Sequence, residues 1–136
     1  MNNRMLSVSV AAMVALGVAQ IASAHHSFSA EFDATKPVTV TGTIEHVAWV
    51  NPHMAIFVDV VDAHGVVTQW QFDSLPPIAL RRGGVEESDF RVGDKVTVNG
   101  YGSKKGAHAG YLLKLTYADG HVVEIGAAKA AAQAGQ

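Results

Sequence analysis

Hydrophobic and polar positions alternate along most of the chain, a pattern typical of β-strands with one buried face. The alternation runs through 38–50 (VTVTGTIEHVAWV) and again through 53–61 (HMAIFVDVV), with Asn51 and Pro52 between them. A turn containing glycine then leads into 66–72 (VVTQWQF). We therefore predict three strands in a meander over the first half of the chain.

A short helix and further strands follow. Ser74 is a candidate N-cap residue, a proline at 76 or 77 suits a first helical turn, and the glycines at 83 and 84 end the helix. Alternation then returns in three segments, 90–102, 109–117 and 121–125.

These elements predict an all-β fold with one short helix, a small OB-like barrel of five to six strands. Regular alternation also assigns the inward-facing residues. It places His46 on the same face as Ile44, so that we expect this histidine to be a partly buried core residue. It places four residues of 109–117 on one face, namely Tyr111, Leu113, Leu115 and Tyr117.

The N-terminal segment has a different pattern. Arg4 precedes an apolar run over 8–19, and Ala22, Ser23 and Ala24 form a small-x-small cleavage site, as in a secretory signal peptide. The apolar run is too short to span a bilayer, so we expect no stable membrane span after cleavage. The predicted segments are the signal peptide 1–24, an OB-like β-barrel domain 25–126 and a mobile Ala-rich tail 127–136. The expected location is periplasmic or secreted.

Composition narrows the function classes. Without the leader, nine Lys and Arg side chains stand against twelve Asp and Glu, which is unfavourable for binding nucleic acid through its phosphates. The 136 residues include no cysteine, so stability must come from the core or partly from a ligand. The chain lacks HExxH, CxxC, G-x-S-x-G and nucleotide-loop motifs. We therefore assign no catalytic or cofactor-binding residue and expect a non-catalytic role.

Two adjacent histidines, His25 and His26, follow the predicted cleavage site. Cleavage after Ala24 makes His25 the first residue, so its α-amine and imidazole can chelate one ion while another histidine completes the site. Nitrogen donors in a planar arrangement favour Cu(II). The α-amine and the imidazole can both lose a proton to the metal near neutral pH. The alternative is that both histidines are a solvated chain terminus. The arrangement resembles the histidine brace of secreted copper proteins such as lytic polysaccharide monooxygenases, a resemblance that transfers to His25 alone.

A second candidate site is the sequence WVNPHM between the first two strands. His53 opens a strand at the expected barrel rim, where a ligand is accessible; the alternative is an ordinary turn. The combination of Trp49, His53 and Met54 is similar to periplasmic copper/silver chaperone barrels, which hold Cu(I) with one histidine, two methionines and a tryptophan. Only one methionine is present here, and in a regular strand it points away from His53. His121 flanks the last hairpin and could also approach the rim.

Several separated motifs, HHSF, AEFD, NPH, LRRG and a terminal ADG hairpin, resemble a family of small exported bacterial proteins known as a domain of unknown function. The resemblance runs from His25 to about Ile125. It implies export and an OB-like fold, and it implies no activity.

Two functional hypotheses follow, and a copper-dependent oxidase or oxygenase that uses the same ligands stays open as a third. The first is a periplasmic non-catalytic metal-binding module for copper, with His25 and His53 as the first ligands and His26 or His121 next. The alternative is a metal-free OB-like module that binds a ligand or a periplasmic protein through a face containing Trp49, Met54 and Trp70, because aromatic residues are enriched in such surfaces.

Overall fold

The computed structural model of the chain describes residues 28–126. The chain divides into two compact units, 1–31 and 32–136. In the first unit the described residues 28–31 are helical, and the described strands belong to the second. The predicted signal peptide, His25, His26 and the predicted tail lie outside the described residues, so they remain predictions.

Within the described range the second unit contains six strands and two short helical segments. In chain order they are β1 (Phe32–Ala48), β2 (Ala55–Val61), β3 (Val67–Asp73), α1 (Pro77–Arg82), a 3₁₀ turn (Glu87–Asp89), β4 (Lys95–Ser103), β5 (Ala109–Tyr117) and β6 (Val122–Glu124).

The strands form one sheet in the order β3-β2-β1-β4-β5-β6. Neighbours in this order are antiparallel, and β3 also pairs in parallel with β5. This last pairing closes five strands into a ring, which we call the five-strand ring. Among the described strands, β6 pairs with β5 alone. The all-β prediction is confirmed, and the order of the ring agrees with an OB-like topology.

The core lies inside the five-strand ring around Phe72, which is fully buried. The ring of Phe72 occupies space that a side chain at position 110 would need. A Cβ added to Gly110 would lie 2.6 Å from the carbonyl oxygen of Tyr101 and 3.0 Å from Cε1 of Phe72. Glycine at this position therefore allows β4 and β5 to approach each other closely. Other fully buried core residues are Ile44, Ile56, Val58, Val98, Leu112 and Leu115.

A β-bulge in β1 changes the predicted face of His46. Ile44 pairs with Val58, but His46 pairs with Phe57, so Glu45 is an extra residue in β1. His46 is exposed, and its imidazole lies 5.6 Å from the ring of Phe57 between centroids. The prediction of a core histidine was wrong because the bulge shifts the alternation by one residue.

A second bulge lies in β5. Asn99 pairs with Lys114 while Gly100 pairs with Leu112, so Leu113 has no opposing residue in β4. The bulge therefore changes which alternate residues of β5 are buried: Leu112 is buried before it and Leu115 after it. The prediction that Tyr111 and Leu113 share a face with Leu115 and Tyr117 was wrong for the same reason.

The helix α1 begins with proline, as predicted, but Ser74 does not cap it. Pro76 is the N-cap residue and no side chain caps the helix. Ser74 lies two residues earlier and is buried. Leu80 packs into the core, whereas Ile78 is exposed, so only one side of this short helix contributes to the interior.

Candidate functional site

A solvent-open cleft of about 450 Å³ lies beside β6. One side is formed by residues that follow α1 and by the 3₁₀ turn, and the other by the start and body of β6. The lining residues are Gly84, Val85, Asp89, His121, Val122, Val123 and Glu124. Among the described residues, the lining thus contains two acidic residues and one histidine and no Lys or Arg, so it favours ligands that carry positive charge.

The wall opposite β6 is held by local hydrogen bonds. Gly84 has a φ of +79°, and the N–H of Val85 donates to the carbonyl oxygen of Leu80 at 2.9 Å, which turns the chain away from α1. The N–H of Glu86 then donates to Oδ2 of Asp89 at 2.8 Å. The carboxylate of Asp89 is therefore fixed in position at the edge of the cleft.

Tyr117 connects the 3₁₀ turn to β5 behind the cleft. Its hydroxyl donates to the carbonyl oxygen of Asp89 at 2.7 Å and accepts from the N–H of Arg91 at 2.9 Å. The Arg91 guanidinium lies 4.0 Å from the centroid of the Tyr117 ring, within the range of a cation–π interaction. Burial raises the pKa of the Tyr117 hydroxyl above its ordinary value.

His121 reaches the cleft from the turn between β5 and β6. Its N–H donates to Oδ1 of Asp119 at 2.8 Å, and this hydrogen bond, followed by one from Arg91, holds the pKa of Asp119 below its ordinary value. The imidazole of His121 is exposed and lies 5.8 Å from the Tyr117 ring between centroids. The turn thus places His121 in the lining of the cleft.

The free edge of β6 forms part of the cleft. His121 accepts a backbone hydrogen bond from β5 and Ile125 donates one to it, so alternate residues of this strand face β5. In an antiparallel ladder the residues between such positions direct their N–H and C=O groups the other way. Val122 and Glu124 therefore direct their backbone groups away from β5, toward the side that no other described strand covers.

The predicted residues around the first turn have separate positions. His53 is exposed just before β2. Trp49 is half-buried and lies 5.9 Å from Phe90 between ring centroids, with the Arg81 guanidinium 5.7 Å from its ring centroid. Met54 is fully buried. It is therefore a core residue, and its inclusion in a binding face was wrong.

The burial of Met54 follows from its backbone contacts. The N–H of Met54 donates to the carbonyl oxygen of Leu75 at 3.1 Å, and its own carbonyl oxygen accepts from the N–H of Ser74 at 2.8 Å. These bonds join the start of β2 to the chain that follows β3 and direct the methionine side chain into the core cluster.

Trp70 contacts different residues from those around Trp49. It is half-buried, stacks on Phe72 at 5.7 Å and meets the imidazole of His108 edge-on at 5.3 Å. The ring contacts of the two tryptophans have no residue in common. The structure does not bring them together into one aromatic cluster within residues 28–126.

The described residues hold no cluster of three typical metal-ligating side chains. Across 28–126, no three or more His, Asp or Glu side chains lie together in a group that could hold a metal ion. The five histidines of this range are all exposed: His46, His53, His64, His108 and His121. Both His53 and His121 are exposed and therefore accessible as single ligands.

Of the residues that line the cleft, only His121 was predicted from the sequence, as a candidate metal ligand, and the acidic residues Asp89 and Glu124 were not. The two carboxylates are 35 positions apart in the sequence. The sequence around each of them has the composition of an ordinary protein surface. Only the return of β6 beside the 3₁₀ turn brings them to the same cleft. No local motif could have identified them.

Fold and cleft together define a small all-β protein with a closed ring of five strands and an acidic cleft beside a sixth. The chain belongs to a family of unknown function, DUF6152, whose profile matches residues 12–113. This confirms the predicted membership of a domain-of-unknown-function family. Searches of curated proteins and of solved structures give no significant match. In the range 28–126, no helix has the length and apolar character needed to cross a membrane.

Proposed function

We propose that this protein is an exported, non-catalytic module that binds a metal ion, and that the metal is copper. The observation that carries the proposal is the exposure of all five described histidines. None of these histidines is buried in the core, so each is accessible to a metal ion as a nitrogen ligand. The predicted cleavage after Ala24 would add a chelating N-terminal histidine.

The proposed ligands come from both parts of the chain. His25 would supply its α-amine and its imidazole, and one histidine from the described domain would supply a third nitrogen. His53 is the first choice because it is exposed in a loop beside a strand, with His121 and His26 next. Three nitrogen donors in a plane suit Cu(II) better than the harder divalent ions.

The test uses the chain expressed with its own leader and purified after export. Cu(II) titration followed by electron paramagnetic resonance should show binding through nitrogen ligands. A variant with one extra residue before His25 should bind at least about tenfold more weakly, because its amine no longer belongs to His25. His53→Ala should weaken binding, and His64→Ala is the matched control, since both side chains are exposed histidines. Equal, weak binding by the processed and extended chains would contradict the proposal.

A second candidate function is a metal-free binding module for a ligand or a periplasmic protein. It is supported by the cleft beside β6, which combines acidic residues with a strand edge that no other described strand covers. Clefts with a few convergent polar groups are the common location of ligand sites. In this proposal Asp89, His121 and Glu124 replace the predicted face around the two tryptophans.

A further inference from the structure

We infer that the cleft beside β6 binds an extended, positively charged peptide segment, which adds to the sheet as a strand along the free edge of β6. The inference rests on the second candidate function and specifies its ligand. It is independent of the metal proposal, because it uses no histidine as a metal ligand.

The backbone of β6 supplies the recognition. Val122 and Glu124 direct their N–H and C=O groups away from β5, as the ladder positions of their neighbours require. An uncovered row of such groups is a template for another strand. Addition of an extended peptide to an exposed sheet edge is a general mode of peptide recognition, in which main-chain hydrogen bonds provide the affinity.

The cleft limits the length and shape of the ligand. β6 has three residues, so its edge is about 10 Å long at roughly 3.3 Å per residue. On the other side, Gly84 and Val85 form the wall. A peptide lying between this wall and β6 would therefore pair over about three residues and would be extended rather than helical.

The negative charge of the cleft favours a basic peptide over a second copy of the chain as the ligand. Asp89 and Glu124 line the cleft, whereas the nearby Arg91 is paired with Asp94 at 2.9 Å and Asp119 at 3.0 Å. A second copy of the chain would bring two acidic clefts together, which like charges disfavour. A basic peptide is complementary in charge. The exposed side chain of Val122 adds an apolar contact for alternate residues of the ligand.

The free edge of β3 provides a matched control. β3 pairs with β5 only from Gln71 onward, so its first residues are also an uncovered edge. The N–H of Asp62 donates to Val66, and by alternation the N–H of Val67 points away from β2. Val67 and Val122 are thus both exposed valines that open an edge strand and direct an N–H outward.

The test uses the purified full chain in the presence of a metal chelator. The probe is a hexapeptide of alternating lysine and valine with blocked ends, and binding is followed by calorimetry and by NMR shift mapping. The peptide should bind, with shifts centred on β6 and residues 84–89. Val122→Pro removes one outward N–H and should weaken binding at least about tenfold, while Val67→Pro should change it less than about twofold.

A second variant keeps the backbone intact. Glu124→Lys should abolish binding of the peptide of alternating lysine and valine. It should strengthen binding of a peptide of alternating glutamate and valine. Equal affinity of the two proline variants, or equal binding of both peptides by the unmodified chain, would overturn the inference. So would a dimer that forms through β6 and excludes the peptide. Because the chelator removes metal, failure here leaves the copper titration unaffected, and failure of the copper titration leaves this result unaffected.

Discussion

At the scale of single residues, Tyr117 shows how the cleft is kept in shape. Its hydroxyl lies between the carbonyl of Asp89 and the N–H of Arg91, so one side chain joins β5 to the 3₁₀ turn. Both backbone partners would lose a hydrogen bond without it. A partly buried donor or acceptor left without a partner is costly.

We therefore expect Tyr117→Phe to lower the free energy of unfolding by about 1–3 kcal/mol. Chemical denaturation of the variant and the unmodified chain at neutral pH would measure the difference. Ile78→Ala is a control, because Ile78 is exposed and should change stability by less than about 1 kcal/mol. An equal effect of the two substitutions would contradict the role assigned to the hydroxyl.

The raised pKa of Tyr117 also predicts a pH dependence. The unfolded chain loses the phenol proton near pH 10, while in the folded chain burial raises the pKa of Tyr117 above that value. The folded state thus retains its proton longer, so the stabilising contribution is complete below about pH 10 and is lost as the pH rises through the folded pKa.

Denaturation midpoints measured from pH 8 to pH 12 should therefore decrease above about pH 10. Tyr111, whose pKa burial also raises, should contribute to the same decrease. Tyr117→Phe should make the decrease smaller without abolishing it. An unchanged slope in this variant would show that Tyr117 does not contribute.

At the scale of elements, the two bulges explain where sequence patterns fail. Strand positions and their order were predicted well, because hydrophobic alternation follows directly from one buried face. The extra residues Glu45 and Leu113 then reversed the alternation partway along β1 and β5. A bulge depends on the register of a partner strand distant in sequence, so His46 could not have been placed from β1 alone.

Close packing between β4 and β5 gives a prediction at this scale. Gly110→Ala should destabilise the fold by about 1–3 kcal/mol, because the new Cβ would meet the backbone of Tyr101 and the ring of Phe72. Gly106→Ala is the matched control in the loop before β5, where the nearest atom is Cβ of Ala109 at 3.9 Å. Thermal unfolding of both variants would measure this. Similar midpoints would rule out the packing argument.

At the scale of the whole molecule, β6 completes the core although it lies outside the five-strand ring. Val123 and Ile125 are buried, and the N–H of Ile125 donates to the carbonyl oxygen of Leu113. This segment therefore contributes apolar contacts as well as the edge of the cleft. Its removal should affect stability as well as binding.

A chain ending at Gly126 should unfold within about 2 °C of the full chain, because the sequence of the predicted tail contains no apolar stripe that could pack on a core. A chain ending at Gly120 lacks β6 and should lose at least about 3 kcal/mol from the two buried side chains. Thermal and chemical unfolding of the two truncated chains would compare them. Equal stability would show that β6 is not part of the folded core.

The sequence by itself determined the all-β class, the number and order of most strands and the short helix, because these follow from local periodicity and from the placement of proline and glycine. It also indicated the family and the accessibility of His53. The tertiary structure alone decided that Met54 is buried, that His46 is exposed, and that β3 meets β5 to close the ring. It also decided that Asp89 and Glu124 share a cleft, because strand register and contacts between distant segments depend on the packed chain as a whole.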